Sequence, residues 1–228
     1  MKKKPIAIFD IDGTIFRKNL QFELLEGLSW QGIFPREERD KLVKYYRRWL
    51  ENKSSYEIYR QILVKLYKKN IKGCSPDQVS EVAKKVAKFH HGRLFIYTSK
   101  LFTKLRKTHL TVAISGSPDE IVREFNKYLK FDYAFGTVFE IKDGIYTGKE
   151  EYAPVVDKEK ALKRFLEETG YDLRNSYGIG DTESDIGFLK IVKNPIAFNP
   201  DKTLKREAEK KKWKLIVERK DVIYEIHN

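Results

Sequence analysis

Two acidic residues stand one position apart near the start of the chain, where a short apolar segment ends. Asp10 closes the run at residues 5–10, whose pattern is typical of a strand buried on both faces of a parallel sheet, and Asp12 follows it. Two carboxylates this close repel each other unless a cation or a proton lies between them. A hard divalent cation held by oxygen ligands is the predicted occupant. The alternatives are a simple Asp-Gly turn and the start of a calcium loop, but an EF-hand loop has its glycine later and follows a helix.

A second candidate site follows the apolar run at residues 110–115. Ser115 and Gly116 stand where this predicted strand gives way to a helix. Ser117 with Glu120 predicts a capping box, and a proline between them would take the first helical position. A serine hydroxyl beside the free amides of a helix start is suited to binding phosphoryl oxygens, although capped helices after strands are common and usually structural.

A third candidate is a lysine at the start of a predicted helix that Asp157 would cap. Lys158 lies in the first turn, where a cation opposes the helix macrodipole. A bound anion would explain that placement. Lys160 competes for the same role, and a solvated surface lysine is the alternative for either residue.

Two more acids follow the apolar run at residues 176–180. Asp181 and Asp185 precede another predicted helix, and one of them could serve only as its cap. Because ligands of open α/β sheets bind at the carboxyl ends of the strands, we expect these acids to lie near Asp10 and Asp12. Together they would complete an oxygen-rich metal site.

The elements that must position these residues form an alternating pattern. Strand-like apolar runs separated by helix-like stretches predict an α/β fold with a parallel sheet. The runs are at residues 5–10, 110–115, 176–180, 195–198 and 215–217. Between residues 137 and 148, alternating apolar residues flank Asp143-Gly144, which predicts a type I′ hairpin as a small antiparallel addition.

Residues 17–91 have helical periodicity and almost no strand signal. We therefore predict a helical cap at residues 17–91, packed on itself, inserted into an α/β catalytic core formed by residues 1–16 and 92–228. The aromatic residues of its apolar stripes are interpreted as core of this lobe.

Composition restricts the classes of partner. The 228 residues include 46 Lys and Arg against 33 Asp and Glu, a formal net charge of +13. Because the basic residues are scattered, solvated surface is favoured over nucleic-acid binding. A single cysteine fits a reducing compartment, and no apolar run approaches the roughly 20 residues that span a bilayer. These features predict a cytoplasmic protein without a membrane partner.

Taken together and in this order, the four sites resemble the motifs of the haloacid dehalogenase superfamily. The resemblance is closest to its phosphoserine-phosphatase-like branch, which inserts a helical cap after the first motif into a Rossmann-like core. The spacing to Asp181 matches the family pattern for Lys158 rather than Lys160. The matching residues are Asp10, Asp12, Gly13, Thr14, Ser115, Lys158, Gly180, Asp181 and Asp185.

The resemblance implies a Mg²⁺-dependent phosphatase that forms an aspartyl-phosphate on Asp10. It implies that Mg²⁺ is held by Asp10, Asp181 and the backbone carbonyl of Asp12, whose side chain serves as acid and base. Lys158 and Ser115 would bind phosphoryl oxygens. Gly116 and Thr14 would contribute to the substrate site, Thr14 by supporting its loop, and Asp185 would orient the site from behind.

The predicted substrate is a small phosphorylated metabolite other than phosphoserine. Asn19 stands where phosphoserine phosphatases carry a glutamate for the substrate amine, and nearby Arg17 would repel that amine. The position of the arginine that binds the substrate carboxylate falls on Leu63 by spacing, with Arg60 the nearest substitute. We expect a monoester with anionic or aromatic groups suited to Arg17 and the aromatic cap, and include Asn19 and Arg17 in its site.

Two other functions stay open at this point. A phosphotransferase or phosphomutase would use the same intermediate with another alcohol as the acceptor. A basic nucleic-acid-binding module on a phosphatase scaffold would explain the charge, although the intact acids argue against it. The oligomeric state is not predicted.

Overall fold

The computed structural model describes residues 3–226, and its centre is an eight-stranded sheet within that range. The strand order is β4-β3-β2-β1-β5-β6-β7-β8; the six inner strands run parallel, and the two edge strands run antiparallel to their neighbours. This confirms the predicted α/β class. The ends of the predicted core, residues 1–2 and 227–228, lie outside the described residues. The strands are β1 (Ile6–Phe9), β2 (Leu110–Pro118), β3 (Tyr133–Lys142), β4 (Ile145–Tyr152), β5 (Tyr177–Gly180), β6 (Asn194–Phe198), β7 (Lys214–Arg219) and β8 (Val222–Ile226).

The central strand β1 is buried on both faces, as its continuous apolar run predicts. Successive side chains of a strand point to opposite faces. Accordingly, Ile6 and Ile8 pack in one hydrophobic cluster, while Ala7 and Phe9 pack in the other, and all four are fully buried. The strand therefore fixes the residues that follow it within the sheet.

Five helices lie between β1 and β2 along the chain, and the first four are α1 (Leu20–Trp30), α2 (Arg36–Leu50), α3 (Tyr56–Ile71) and α4 (Pro76–His90). We call residues 17–91, which contain these four, the helical insert. The Arg17 amide donates to the Arg93 carbonyl (2.9 Å), and the Phe95 amide donates to the Ile15 carbonyl (3.0 Å). The chain thus enters and leaves the insert side by side, although its boundaries as a separate domain stay a prediction.

The core of the helical insert is continuous with one face of the sheet. Leu24 and Val82 of the insert belong to the same hydrophobic cluster as Phe9 and Phe125. The lobe therefore packs against the sheet as well as on itself. The remaining helices are α5 (Ile96–Leu105), α6 (Asp119–Leu129), α7 (Lys158–Thr169), α8 (Ile186–Ile191) and α9 (Lys202–Lys211).

The predicted hairpin turn forms, but the hairpin is part of the main sheet. Asp143 (φ 50°) and Gly144 (φ 78°) both have the positive φ that a type I′ turn requires. Its first strand, β3, also pairs in parallel with β2. Its second strand, β4, contacts the helical insert, where the Tyr146 amide donates to the Cys74 carbonyl (3.0 Å). The hairpin therefore joins sheet and insert.

A helix that crosses a bilayer needs roughly 20 predominantly apolar residues. Within residues 3–226, no helix combines the length and the apolar composition needed to cross a membrane.

Candidate active site

The carboxyl ends of three neighbouring strands bring the predicted residues together at one end of the sheet. Asp10 follows β1, Asp181 follows β5, and Ser115 lies within β2, so the central strand is flanked by the other two. The loop after β1 passes close to Asp181. A Cβ atom on Gly13 (φ +85°) would lie 2.1 Å from the Asp181 carboxylate, which is why glycine is needed there. Thr14 Oγ1 donates to Asp181 Oδ1 (3.0 Å) and so supports the loop.

Three carboxylates lie close together beyond the carboxyl ends of these strands. Ligand oxygens of Asp10, Asp181 and Asp185 lie within 4.8 Å of one another. Burial raises the pKa of Asp10 to about 7, and burial together with the Asp10 charge raises the pKa of Asp181 well above its usual range. Such a cluster concentrates negative charge, and its hard oxygen donors fit a divalent cation such as Mg²⁺.

Lys158 lies beside these acids, as the family pattern predicts. Its Nζ donates to both Asp10 and Asp185, and the residue is only 2% exposed. Burial disfavours its charge, but the two carboxylates outweigh burial and raise the pKa of Lys158. Asp157 caps α7 by accepting from the Lys160 amide (2.8 Å), as predicted. Lys160 itself is exposed, so the structure brings Lys158 to the acids and leaves Lys160 outside.

Asp185 holds the loop that carries Asp181. Its Oδ2 accepts from the amides of Asp181 and Thr182, each at 3.0 Å. The approach is close, because a Cβ atom on Gly180 would lie 2.5 Å from the Asp185 side chain. Asp185 is fully buried and therefore fixes both the Asp181 backbone and the Lys158 ammonium.

The carboxylate of Asp12 is not one of the three clustered acids, and it is held between the start of the helical insert and β2. Oδ1 accepts from the Leu20 amide at the start of α1 (2.6 Å), and Oδ2 accepts from the hydroxyls of Ser115 (2.8 Å) and Ser117 (2.7 Å). Burial raises the pKa of Asp12 although these hydrogen bonds oppose the shift. A carboxyl with a raised pKa, held at the base of the insert, is suited to moving a proton.

Ser117 is a site residue that the sequence analysis assigned wrongly. Helix α6 begins at Asp119 with Pro118 as its N-cap, so the predicted capping box and the predicted first-turn proline are both wrong. The Ser117 hydroxyl instead donates to Asp12 and accepts from the Gln21 amide (3.0 Å). Because β2 extends to Pro118, Ser115 and Ser117 are two positions apart on one face of a strand. That alternation is the signal that could have identified Ser117.

Gly116 lies in the wall of the cavity above the acids. This catalytic cavity has a volume of about 180 Å³, and a Cβ atom on Gly116 would lie 3.0 Å from Val155. The Gly116 carbonyl accepts a hydrogen bond from Thr137 Oγ1 (2.9 Å). The cavity is also lined by Asp10, Asp12, Asn19, Tyr56, Arg60, Ser117 and Lys158.

Arg17 and Asn19 lie near the site, but their side chains already have protein partners. The Arg17 guanidinium donates to the Leu94 carbonyl (2.8 Å) and pairs with the buried Glu218. Asn19 Oδ1 accepts from the Phe22 amide (2.9 Å) and so caps α1. Glu218, which also accepts from the Ile96 and Tyr97 amides, was not identified from the sequence, since nothing local marks its partner.

The alignments with similar proteins cover nearly the whole chain. A Streptomyces azureus protein named for inhibition of morphological differentiation is 27% identical over 221 residues, covering 93% of this chain and 78% of that protein. A phosphoserine phosphatase of Methanocaldococcus jannaschii is 24% identical and is covered to 95%, with 97% of this chain aligned. A solved structure described as a phospho-aspartyl intermediate analogue of phosphoserine phosphatase has a TM-score of 0.63 at 23% identity, covers 96% of each chain and shows a shared fold.

These relatives support the predicted phosphoserine-phosphatase-like branch. The family model for haloacid dehalogenase-like hydrolases matches residues 7–190, which is most of the chain. The predicted superfamily is thus confirmed: the chain belongs to the haloacid dehalogenase-like hydrolase family.

Proposed function

We propose that the chain is a Mg²⁺-dependent phosphatase that hydrolyses a small phosphate monoester through an aspartyl-phosphate on Asp10. The observation that carries this proposal is the buried contact between the Asp10 carboxylate and the Lys158 ammonium. Two further acids lie beside this contact, and Asp12, two residues after Asp10 in the chain, is held by hydrogen bonds. Relatives named as phosphatases support the same class. Assays with phosphate monoesters in the presence of Mg²⁺ test it directly.

The carboxylates of Asp10 and Asp181, with the backbone carbonyl of Asp12, would hold Mg²⁺. Bound Mg²⁺ would offset the repulsion between the Asp10 carboxylate and a phosphate dianion. The clustered oxygens and the raised pKa values of Asp10 and Asp181 support this assignment, because the buried acids lack sufficient positive charge of their own.

Asp10 is the proposed nucleophile. One carboxylate oxygen attacks phosphorus as the bond from phosphorus to the alcohol oxygen breaks, giving the acyl-phosphate. A lysine ammonium has three N–H donors, and Lys158 uses two of them on Asp10 and Asp185. The third donor is available for a phosphoryl oxygen, whose charge it would stabilise in the transition state.

Asp12 is the proposed acid and base. In the first step it gives its proton to the departing alcohol oxygen, and in the second it takes a proton from the water that attacks the acyl-phosphate. When Asp12 carries a proton, it no longer needs both serine hydroxyls as donors. Ser115 can then direct its hydrogen to a phosphoryl oxygen, while Ser117 keeps Asp12 in place.

The helical insert is proposed to act as the cap that completes this site. The Leu20 amide, in the first turn of α1, donates to Asp12. The proposed acid and base is therefore positioned partly by the insert and partly by β2, so any movement of α1 would change its environment.

Replacing Lys158 with methionine is expected to lower kcat/KM by about a hundredfold or more, because the transition state loses a positioned cation. Lys160→Met is the matched control and is expected to stay within about twofold, since Lys160 is exposed on the same helix. Steady-state assays with Mg²⁺ measure both variants. Equal losses in the two would show that Lys158 has no special role, and thermal unfolding identifies any loss of fold.

L-Phosphoserine is expected to be a poor substrate. Its kcat/KM should be about tenfold to a hundredfold lower than that of the best ester in a varied panel. Asn19 offers no charge to the substrate amine, and its side-chain oxygen already caps α1. Asn19→Asp keeps the capping oxygen and adds the charge, so it should raise kcat/KM for phosphoserine relative to the rest of the panel. Phosphoserine ranking first by a wide margin in the wild type would contradict this assignment.

A further inference from the structure

A second cavity opens beside the catalytic cavity and is walled by aromatic side chains of the helical insert. We call it the aromatic cavity; it has a volume of about 600 Å³, within the size range of small-molecule sites. Its aromatic wall is formed by Phe22, Tyr46, Trp49, Tyr56 and Tyr59.

The two cavities adjoin. Asn19, Tyr56 and Thr182 line both of them, and Asp181 lines the aromatic cavity as well. The catalytic cavity, at about 180 Å³, has room for a phosphate group and few further atoms. A larger group bonded to that phosphate would extend past Tyr56 into the aromatic cavity.

The rings form a continuous wall rather than a closed cage. Neighbouring ring centroids are close, at 5.1 Å for Trp49 and Tyr56 and 5.3 Å for Tyr46 and Tyr59. Trp49 and Tyr59 are nearly parallel, with an interplanar angle of 15°. Tyr59 is 3% exposed, whereas Tyr46 is 37% exposed. The wall thus has a buried base and an accessible rim, against which a flat group can stack.

Burial in the lobe core accounts for only part of this aromatic surface. The sequence pattern predicts that the aromatic stripe is core of the lobe, and Tyr59 does pack there. Tyr46, Trp49 and Tyr56, however, keep part of their surface on a cavity that adjoins the acid cluster. Phe16, in the loop after Asp10, is fully buried, so the aromatic surface of the cavity comes from α1 to α3.

The charges around the aromatic cavity do not favour a cationic ligand. Glu23 is paired with Lys18 (2.7 Å), and Asp201 accepts from the amides of Glu183 and Leu204. The third acid of the lining, Asp181, is a proposed Mg²⁺ ligand. Within the described part of the chain, the exposed Lys202 ammonium has no hydrogen-bond or ion-pair partner. A neutral or anionic ring is therefore favoured over a quaternary ammonium group.

We propose that the aromatic cavity binds an aromatic ring on the leaving group, so that the enzyme prefers phosphate monoesters of alcohols that carry such a ring. This inference rests on the proposed phosphatase function. Tyr56 lies at the passage between the cavities, where it would contact the chain that joins ring and phosphate. Trp49 and Tyr46 provide the surface on which the ring stacks.

The test compares three esters whose leaving alcohols have similar acidity: 2-phenylethyl, 2-cyclohexylethyl and ethyl phosphate. Wild-type kcat/KM is expected to be highest for the phenyl ester, and to exceed that of the cyclohexyl ester because only a flat ring stacks fully on the wall. Trp49→Ala should lower the ratio of kcat/KM for phenylethyl over ethyl phosphate by about tenfold. Trp30→Ala is the matched control, since Trp30 is 60% exposed outside this cavity, and should leave every value unchanged.

The outcomes separate the two proposals. An ethyl or cyclohexyl ester that matches the phenyl ester, or phosphocholine ranking above it, would overturn the aromatic-ring proposal while leaving the phosphatase intact. Failure to hydrolyse any monoester with Mg²⁺ would overturn the phosphatase itself. Trp49→Phe serves as a second variant in case Trp49→Ala misfolds, because phenylalanine keeps a stacking ring and should retain most of the preference. An unchanged ratio of kcat/KM in folded Trp49→Ala would also reject the proposal.

Discussion

Asp10→Asn is expected to lower kcat by more than about a thousandfold, whichever phosphate monoester is used. Asparagine keeps the shape of the side chain, and its amide oxygen can still accept a hydrogen bond from Lys158. An amide cannot, however, form the acyl-phosphate that the proposed mechanism requires. Steady-state turnover with Mg²⁺ measures the loss. Acid quenching of the wild type during turnover of a ³²P-labelled ester should trap phosphate on the protein, and the variant should trap none.

Asp40→Asn is the matched control for this variant. The Asp40 side chain is 71% exposed on α2, so the same chemical change there should leave turnover within about twofold of the wild type. Ordinary activity in Asp10→Asn would reject the proposed nucleophile. Titration of the wild type and Asp10→Asn with RNA tests the charge-based alternative, which requires tight binding that weakens steeply with salt and is unchanged by the substitution.

The sequence predicts the centre of the fold and the composition of the acid cluster well. Strands buried on both faces are largely apolar, so β1, β2 and β5 can be identified from short apolar runs. Parallel strands end at one edge of the sheet, which brings Asp10 and Asp181 together. The order of the motifs and the resemblance then point to Lys158. Contacts fixed by local spacing and by strand direction are therefore predictable.

Features that depend on distant partners could not be predicted. Strand β8 is mostly apolar but exposed along its whole length, and it follows a turn at Lys220 without glycine, so no hairpin turn signal joins it to β7. The pairing of Arg17 with Glu218 joins residues far apart in the chain. Ser117 is a third case: the sequence around it matches a capping box, but β2 continues through Ser117. In each case tertiary packing overrides the local pattern.

Removal of divalent cations with EDTA is expected to abolish turnover, and Mg²⁺ is expected to restore it. The proposed chemistry brings a phosphate dianion to Asp10, Asp181 and Asp185, whose oxygens already lie within 4.8 Å of one another. Lys158 supplies one positive charge against three carboxylates. Asp181→Asn removes a proposed ligand and should raise the Mg²⁺ concentration needed for half-maximal turnover by at least about tenfold. Normal turnover by the chelated, metal-free protein would show that the metal assignment is wrong.

The same assignment predicts a stability change that does not depend on turnover. Mg²⁺ at about 100 times its dissociation constant should raise Tm by about 5 °C or more, since a ligand that binds the folded state stabilises it by about 2.7 kcal/mol at that excess. KCl at equal ionic strength is the control for screening, and Asp40→Asn is the control for the loss of a carboxylate. The Mg²⁺-induced shift should be strongly reduced in Asp181→Asn and retained in Asp40→Asn.

The pH dependence of this shift follows from the direction of the pKa changes. The pKa of Asp10 is raised from 3.8 to about 7 by burial, so between these values the folded metal-free protein holds more protons than the unfolded chain. Its stability therefore falls as pH rises from about 4 to about 7, and the loss is complete above that range. Mg²⁺ binds the ionised carboxylates and competes with those protons. The increase in Tm caused by Mg²⁺ should consequently be larger at about pH 8 than at about pH 5.5; an equal increase at both would place the cation away from Asp10 and Asp181.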